Sequence, residues 1–174
     1  MSESPLRIRN IATVYVFDGE SLLLMHRVGS RLFQGSIWVG IGGHFEATEM
    51  NDPLQCALRE LSVETDLTQT DIAPLRLRYI TTRKANGEIR QQYIFFTQLT
   101  NQNATLTESD EGESHWIPRN EIFARKMAYS NMECLKHYFA VGQHTPELYL
   151  CALGVENAAP SVQFTALREY GTER

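Results

Sequence analysis

Residues 40–67 read GIGGHFEATEMNDPLQCALRELSVETDL, and this stretch limits the folds open to the chain more than any other. Gly40, Gly42 and Gly43 let the backbone approach a ligand, a metal or a neighbouring segment closely. The helix that follows is clearly punctuated. Asp52 is placed to cap it, Pro53 fits its first position, and Gln55 completes a capping-box arrangement, the cap being worth about 1 kcal/mol. Leu54, Leu58 and Leu61 recur at helical spacing and are expected to form the core face, with the helix ending near residues 65–66. Residues 31–43, with Gly35 added to the three glycines, read as an irregular loop.

Around this stretch the pattern is mostly strand. Residues 11–17 (IATVYVF) are β-branched and aromatic, Asp18-Gly19 supplies a hairpin turn, and residues 22–26 return. Residues 75–82 and 89–99 are strand candidates about an Asn86-Gly87 turn, and residues 101–112 read as a polar, acidic loop. A short strand at 114–117 is stopped by Pro118, and residues 131–141 form a helix with Leu135, Tyr138 and Phe139 inward. Strands at 148–155 and 162–167, joined through residues 157–160, close the sequence. This content predicts a mixed-sheet α/β or α+β domain. With no linker, residues 1–174 are expected to form one domain with a C-terminal strand pair at about 145–170. Two uses of that pair stay open, covering the sheet or making a homodimer contact.

A chain of 174 residues can bury roughly 70% of its unfolded surface, enough for a core without disulfides or structural metal. Sixteen Lys and Arg against 21 Asp and Glu give a charge of -5, which argues against a nucleic-acid polymer as partner but leaves a nucleotide open. Cys56, Cys134 and Cys151 are far apart and form no CxxC pair, which fits neither a disulfide framework nor a zinc site and suits the reducing cytoplasm. The apolar runs are far shorter than the roughly 20 residues of a membrane span, and MSESPLRIRN has no signal core. No membrane association is expected.

Glu60 and Glu64 carry the chemistry. Their i, i+4 spacing puts two carboxylates on one helix face, which destabilises a bare helix by a few tenths of a kcal/mol. A bridging cation reverses that sign, and hard oxygen ligands of this kind suit Mg²⁺ or Mn²⁺, which in turn bind substrate phosphates. Arg59 is positioned to reach back to Glu49 and tie the loop to the helix. On the two glutamates alone, a solvated surface is the simpler reading.

The whole string, however, resembles the Nudix box. Gly43 is followed after five residues by Glu49, Arg59-Glu60-Leu61 matches the Arg-Glu-aliphatic core, Glu64 matches the second member of the glutamate pair, and Leu67 the closing aliphatic. The approach Trp38-Val39-Gly40-Ile41-Gly42-Gly43-His44 and the two opening strands are similar to the family's. Three departures stand out. Nine residues rather than seven separate Glu49 from Arg59, with the two extra placed in residues 50–52, where added loop length costs little. Val63 replaces the first glutamate of the pair, and Asp66 replaces the closing glycine.

The resemblance implies an α/β/α sandwich with a mixed sheet between helices, and Mg²⁺- or Mn²⁺-dependent hydrolysis of a diphosphate linked to a nucleoside. Glu60, Glu64 and the Gly42 carbonyl would hold the metal, Glu60 or a neighbouring carboxylate would activate water, and Glu49 and Arg59 would be structural. Glu113 or Glu111 could supply the carboxylate missing at Val63, or belong to a solvated acidic turn. Arg27 resembles the family's phosphate-contacting arginine. The substrate implied is a nucleoside triphosphate, with oxidised purines such as 8-oxo-dGTP suggested by likeness to bacterial MutT-like members. Two alternatives are another nucleoside diphosphate derivative (a nucleotide sugar or ADP-ribose) and a nucleotide-binding domain with little turnover. Val39 stands where one related branch reads the base through asparagine, and Phe33, Trp38 and Tyr93 are candidates for stacking. The glycines are neither a P-loop nor a dinucleotide fingerprint, His44-x-Glu46 lacks the cysteines of a zinc deaminase, and Cys56 reads as a buried thiol.

Overall fold

Side-chain alternation along the first strand divides the core in two. The computed structural model describes residues 6–29, 35–107 and 109–170. In β1 (Arg7–Asp18), Ala12, Val14 and Val16 enter one apolar cluster, while Tyr15 and Phe17 enter another. The helix α1 (Pro53–Thr65) closes the first with Cys56, Ala57 and Leu61, and α2 (Tyr129–Ala140) closes the second with Cys134 and Leu135. A mixed eight-stranded sheet therefore lies between helices, an α/β/α sandwich.

At the centre, β1 runs parallel to β5 (Glu88–Gln98), with β4 (Arg76–Ala85) antiparallel beyond it. The turn Asn86-Gly87 takes positive φ at both residues, as a tight hairpin needs. On the other side β2 (Ser21–Val28) pairs with β1 only at Phe17–Asp18, then diverges to pair with β3 (Ser36–Val39) and β6 (Glu113–Pro118). The glycine-rich segment fills the place β2 leaves. Ala12 N–H donates to the Gly43 carbonyl at 2.9 Å, and Val14 and Ile41 exchange bonds of 2.7 and 3.1 Å. A Cβ on Gly42 would lie 2.0 Å from the Ala12 carbonyl oxygen, so glycine is what allows this approach.

The C-terminal pair, β7 (Leu148–Glu156) and β8 (Ala159–Leu167), extends the sheet, β7 parallel to β4 and β8 outermost. Their turn is Asn157-Ala158, both at positive φ, so Pro160 lies inside the strand and not in the turn. The three cysteines are free and buried. Among the described residues no helix is long and apolar enough to cross a membrane.

Several local expectations need correction. The segment 31–43 is not wholly irregular, because β3 forms there by pairing with β2, a tertiary cause with no local signal. Leu54 is 42% exposed and Leu58 only half-buried; the inward face of α1 is Cys56, Ala57, Glu60, Leu61, Glu64 and Thr65. Two carboxylates thus occupy positions that counting leucines would fill with apolar side chains. The α1 capping box is half made. Asp52 accepts from Gln55 N–H at 3.1 Å, but Asp52 N–H goes to the Glu49 carbonyl. Asp66 closes the helix in the left-handed conformation at φ 61, doing what glycine does elsewhere. Phe33 lies outside the described residues.

Candidate active site

Arg59 organises the junction of loop and helix. Its Nε donates to Glu49 Oε1 at 2.6 Å and its Nη2 to Glu49 Oε2 at 2.9 Å, a two-point grip. Nη2 also reaches the His44 carbonyl at 3.0 Å, and Nη1 donates to Glu60 Oε1 at 2.7 Å. Glu49 sits at the end of a 3-10 turn (Ala47–Glu49) and accepts from Glu46 N–H at 2.8 Å. The Arg59 hydrogen bonds hold its carboxyl down at about 2, with the Glu46 amide assisting against burial. Cys56, beneath this pair, is pushed up to about 12 by burial and by Glu49, so it is an inert packed thiol.

Glu60 and Glu64 face the glycine segment from one side of α1. The Glu60 carboxylate rests on Gly43, where a Cβ would meet Oε1 at 2.5 Å. Glu64, 2% exposed, accepts from Gly42 N–H at 2.8 Å through Oε2 and pairs with Arg27 Nη2 at 2.7 Å through Oε1. Burial pushes Glu64 up to about 7, with Glu111 and Glu60 adding to the rise and Arg27 and the Gly42 amide opposing it. Arg27 shares the α1 side with Leu23 and Met25 by strand alternation, and it also pairs with Glu111 at 2.5 Å. A guanidinium therefore lies between two carboxylates from distant parts of the chain.

Glu113 does not join this group. β6 alternates, and Ile117 is in the α2-side core, so Glu113 and His115 lie on the face away from Glu60 and Glu64. Its carboxylate lies 3.3 Å from His115 Nε2 instead. Glu111 precedes the strand, escapes this alternation and reaches Arg27. Val63 is 68% exposed and makes no acidic contribution. Among the described residues no three His, Cys, Asp or Glu side chains converge as a metal cluster.

The candidate stacking residues part company. Tyr93 packs on Phe45 at 5.3 Å in the α1-side core, whereas half-buried Trp38 stacks on His26 at 4.6 Å with Arg125 over its ring. Sequence reasoning missed an uncharged polar set on the α2 face beside Gly40. There Gln92 Nε2 donates to Thr13 Oγ1 at 2.8 Å and to Asn131 Oδ1 at 3.1 Å. Nothing in the periodicity of β5 or α2 marks it; only burial of these polar side chains does.

Two carboxylates on a helix, a glycine segment beneath them and an arginine at the rim bring hard oxygen donors and a cationic side chain to one place. The NUDIX domain profile matches residues 7–139, and the chain belongs to that family. Its fold is similar to the mutator MutT protein from Bacillus halodurans (TM-score 0.65, 22% identity, 90% of this chain and 97% of that one). It is also similar to the MutT protein from Methanosarcina mazei Go1 (TM-score 0.63, 15% identity, 82% and 100%). A C. elegans Ap4A hydrolase binary complex matches at TM-score 0.58 and 17% identity, over 78% and 96%. The protein is thus a Nudix hydrolase, an enzyme acting on nucleoside diphosphate derivatives.

Proposed function

We propose that the enzyme hydrolyses a nucleoside triphosphate to the monophosphate and pyrophosphate with Mg²⁺ or Mn²⁺, and that oxidised purine nucleotides of the 8-oxo-dGTP kind are its best substrates. The observation that carries this reading is the convergence of Glu60 and Glu64 on Gly42 and Gly43, with Arg27 held between Glu64 and Glu111. The donor set fits a hard divalent cation: two carboxylates and the Gly42 carbonyl, at a place where the protein already holds a cationic side chain. Glu60, Glu64 and Gly42 would hold the ion, with Glu111 rather than Glu113 as the distal carboxylate. The ion, when bound, neutralises phosphate charge and lowers the pKa of water.

The chain's own groups do the rest. Arg27, released from Glu64, binds substrate phosphate oxygens as a charge-assisted donor. Glu60 keeps Oε1 on Arg59 and offers Oε2 to take the proton of the attacking water. Arg59 and Glu49 fix that carboxylate by fixing the loop. The similarity to an Ap4A hydrolase supports a second reading, another nucleoside diphosphate derivative as substrate. Screening nucleoside triphosphates, their 8-oxo forms, nucleotide sugars, dinucleoside polyphosphates and ADP-ribose with either metal, products separated, decides between them. Metal-dependent release of pyrophosphate from triphosphates, fastest for 8-oxo forms, is expected. Turnover confined to the other classes moves the assignment to the second reading, and absence of turnover overturns both.

A further inference from the structure

The cavity between the C-terminal end of α2 and the start of β4 has a volume of about 520 Å³, and Arg76, Arg78, Phe96, Tyr138, Gln143 and His144 are among its lining residues. No Asp or Glu lines it, in a chain whose net charge is -5. Arg27, Arg59, Arg119 and Arg125 each meet a carboxylate, but Arg76 and Arg78 meet none among the described residues. Arg78 is only 7% exposed. Its Nη2 donates to the Gly142 carbonyl at 2.6 Å and to the Thr145 carbonyl, while Nε is buried without a partner among the described residues. These carbonyls, in the turn that follows α2, offset part of the Arg78 charge. They fix the guanidinium in place at the cavity wall without neutralising it, so a positive charge stands there with no carboxylate among the described residues.

We propose that this cavity binds a small molecule bearing a phosphate ester, with Arg76 and Arg78 holding the phosphate and the apolar lining of Pro74, Tyr138 and Pro146 contacting the rest of the molecule. The site is separate from that of Glu60 and Glu64. Gly42 lies against Ala12, whereas the cavity borders Phe96–Gln98, which pair with Tyr15–Phe17. Three to five residues of strand, about 10 to 17 Å, separate Ala12 from Tyr15–Phe17, and Phe96 and Tyr138 lie on the α2 side of the sheet, away from α1. The inference does not depend on the proposed reaction, and it is tested without metal.

The test is titration of the full chain in EDTA with AMP, inorganic phosphate and adenosine, following backbone amide resonances. AMP should shift residues 73–78 and 142–146 saturably, inorganic phosphate should do so more weakly, and adenosine should not. Arg76→Glu, a change on an exposed side chain, should weaken AMP binding by roughly tenfold, the worth of one charge-assisted hydrogen bond. The same variant should keep the melting temperature and the metal-dependent turnover. Shifts confined to residues 40–64, shifts that do not saturate, equal binding of adenosine, or AMP binding unchanged in Arg76→Glu would each overturn the proposal.

Discussion

Arg59 grips Glu49 at two points, 2.6 and 2.9 Å, and with the same guanidinium holds Glu60 Oε1 at 2.7 Å. One side chain thus couples the loop after the glycines to a candidate catalytic carboxylate. Glu49 is 1% exposed, so removing its partner strands a buried charge. Arg59→Met is expected to destabilise the fold by about 3 kcal/mol, as is usual when one member of a buried pair is lost. It should also lower kcat at sites still folded. Urea unfolding and saturation kinetics on the same preparation check both; Arg59→Met with wild-type stability would show the pair to be dispensable.

The same pair sets an acid limit. Glu49 in the folded chain titrates at about 2, below its ordinary value of 4.5. A depressed folded-state pKa stabilises the fold fully above the unfolded value, and that contribution is lost as pH falls from about 4.5 toward 2. Melting temperature should therefore fall across that window in the wild type, and Glu49→Gln should flatten that part of the dependence while starting from a lower plateau. Parallel acid profiles for the two proteins would contradict the assignment.

The two adjacent glycines should fail differently. A Cβ at Gly42 meets backbone, the Ala12 carbonyl oxygen at 2.0 Å, while one at Gly43 meets the movable end of Glu60. Gly42→Ala should destabilise by several kcal/mol or prevent folding, whereas Gly43→Ala should keep most stability and lose activity by displacing the carboxylate. Thermal melts and turnover of both variants test this, and equal stability loss in the two would contradict it.

Val63 gives a test in the opposite direction. Its side chain is 68% exposed, so Val63→Glu costs no core packing. It adds a third acid on the exposed flank of α1, one turn along from Glu60. Affinity for Mn²⁺, measured by calorimetry, should rise about tenfold, equal to 1.4 kcal/mol. Unchanged affinity would mean that Glu111 already supplies the missing charge.

Much of this site is legible in the sequence because its signals are local. Asp52 and Pro53 mark the start of α1 to the residue, and the spacing of Glu60 and Glu64 follows from helical geometry alone. What is not legible depends on contacts distant in sequence. β3 exists because β2 pairs with it, and Leu54 is displaced from the core because the glycine segment claims the face of Glu60 and Glu64. The choice between Glu111 and Glu113 turns on the register of β6. That register sends Ile117, and with it Glu113, to the α2 side, and nothing local to β6 says which of the two cores Ile117 joins.

The most direct test of the account is Glu60→Gln. The change keeps shape and the contact with Gly43 but removes the charge and the proton acceptor at Oε2. With Mg²⁺ or Mn²⁺ and the best substrate of the wild type, kcat should fall by about 10²- to 10⁴-fold while the melting temperature stays close to that of the wild type. Turnover that survives Glu60→Gln at the wild-type rate, in a folded protein, would contradict the assignment of this carboxylate and with it the proposed mechanism.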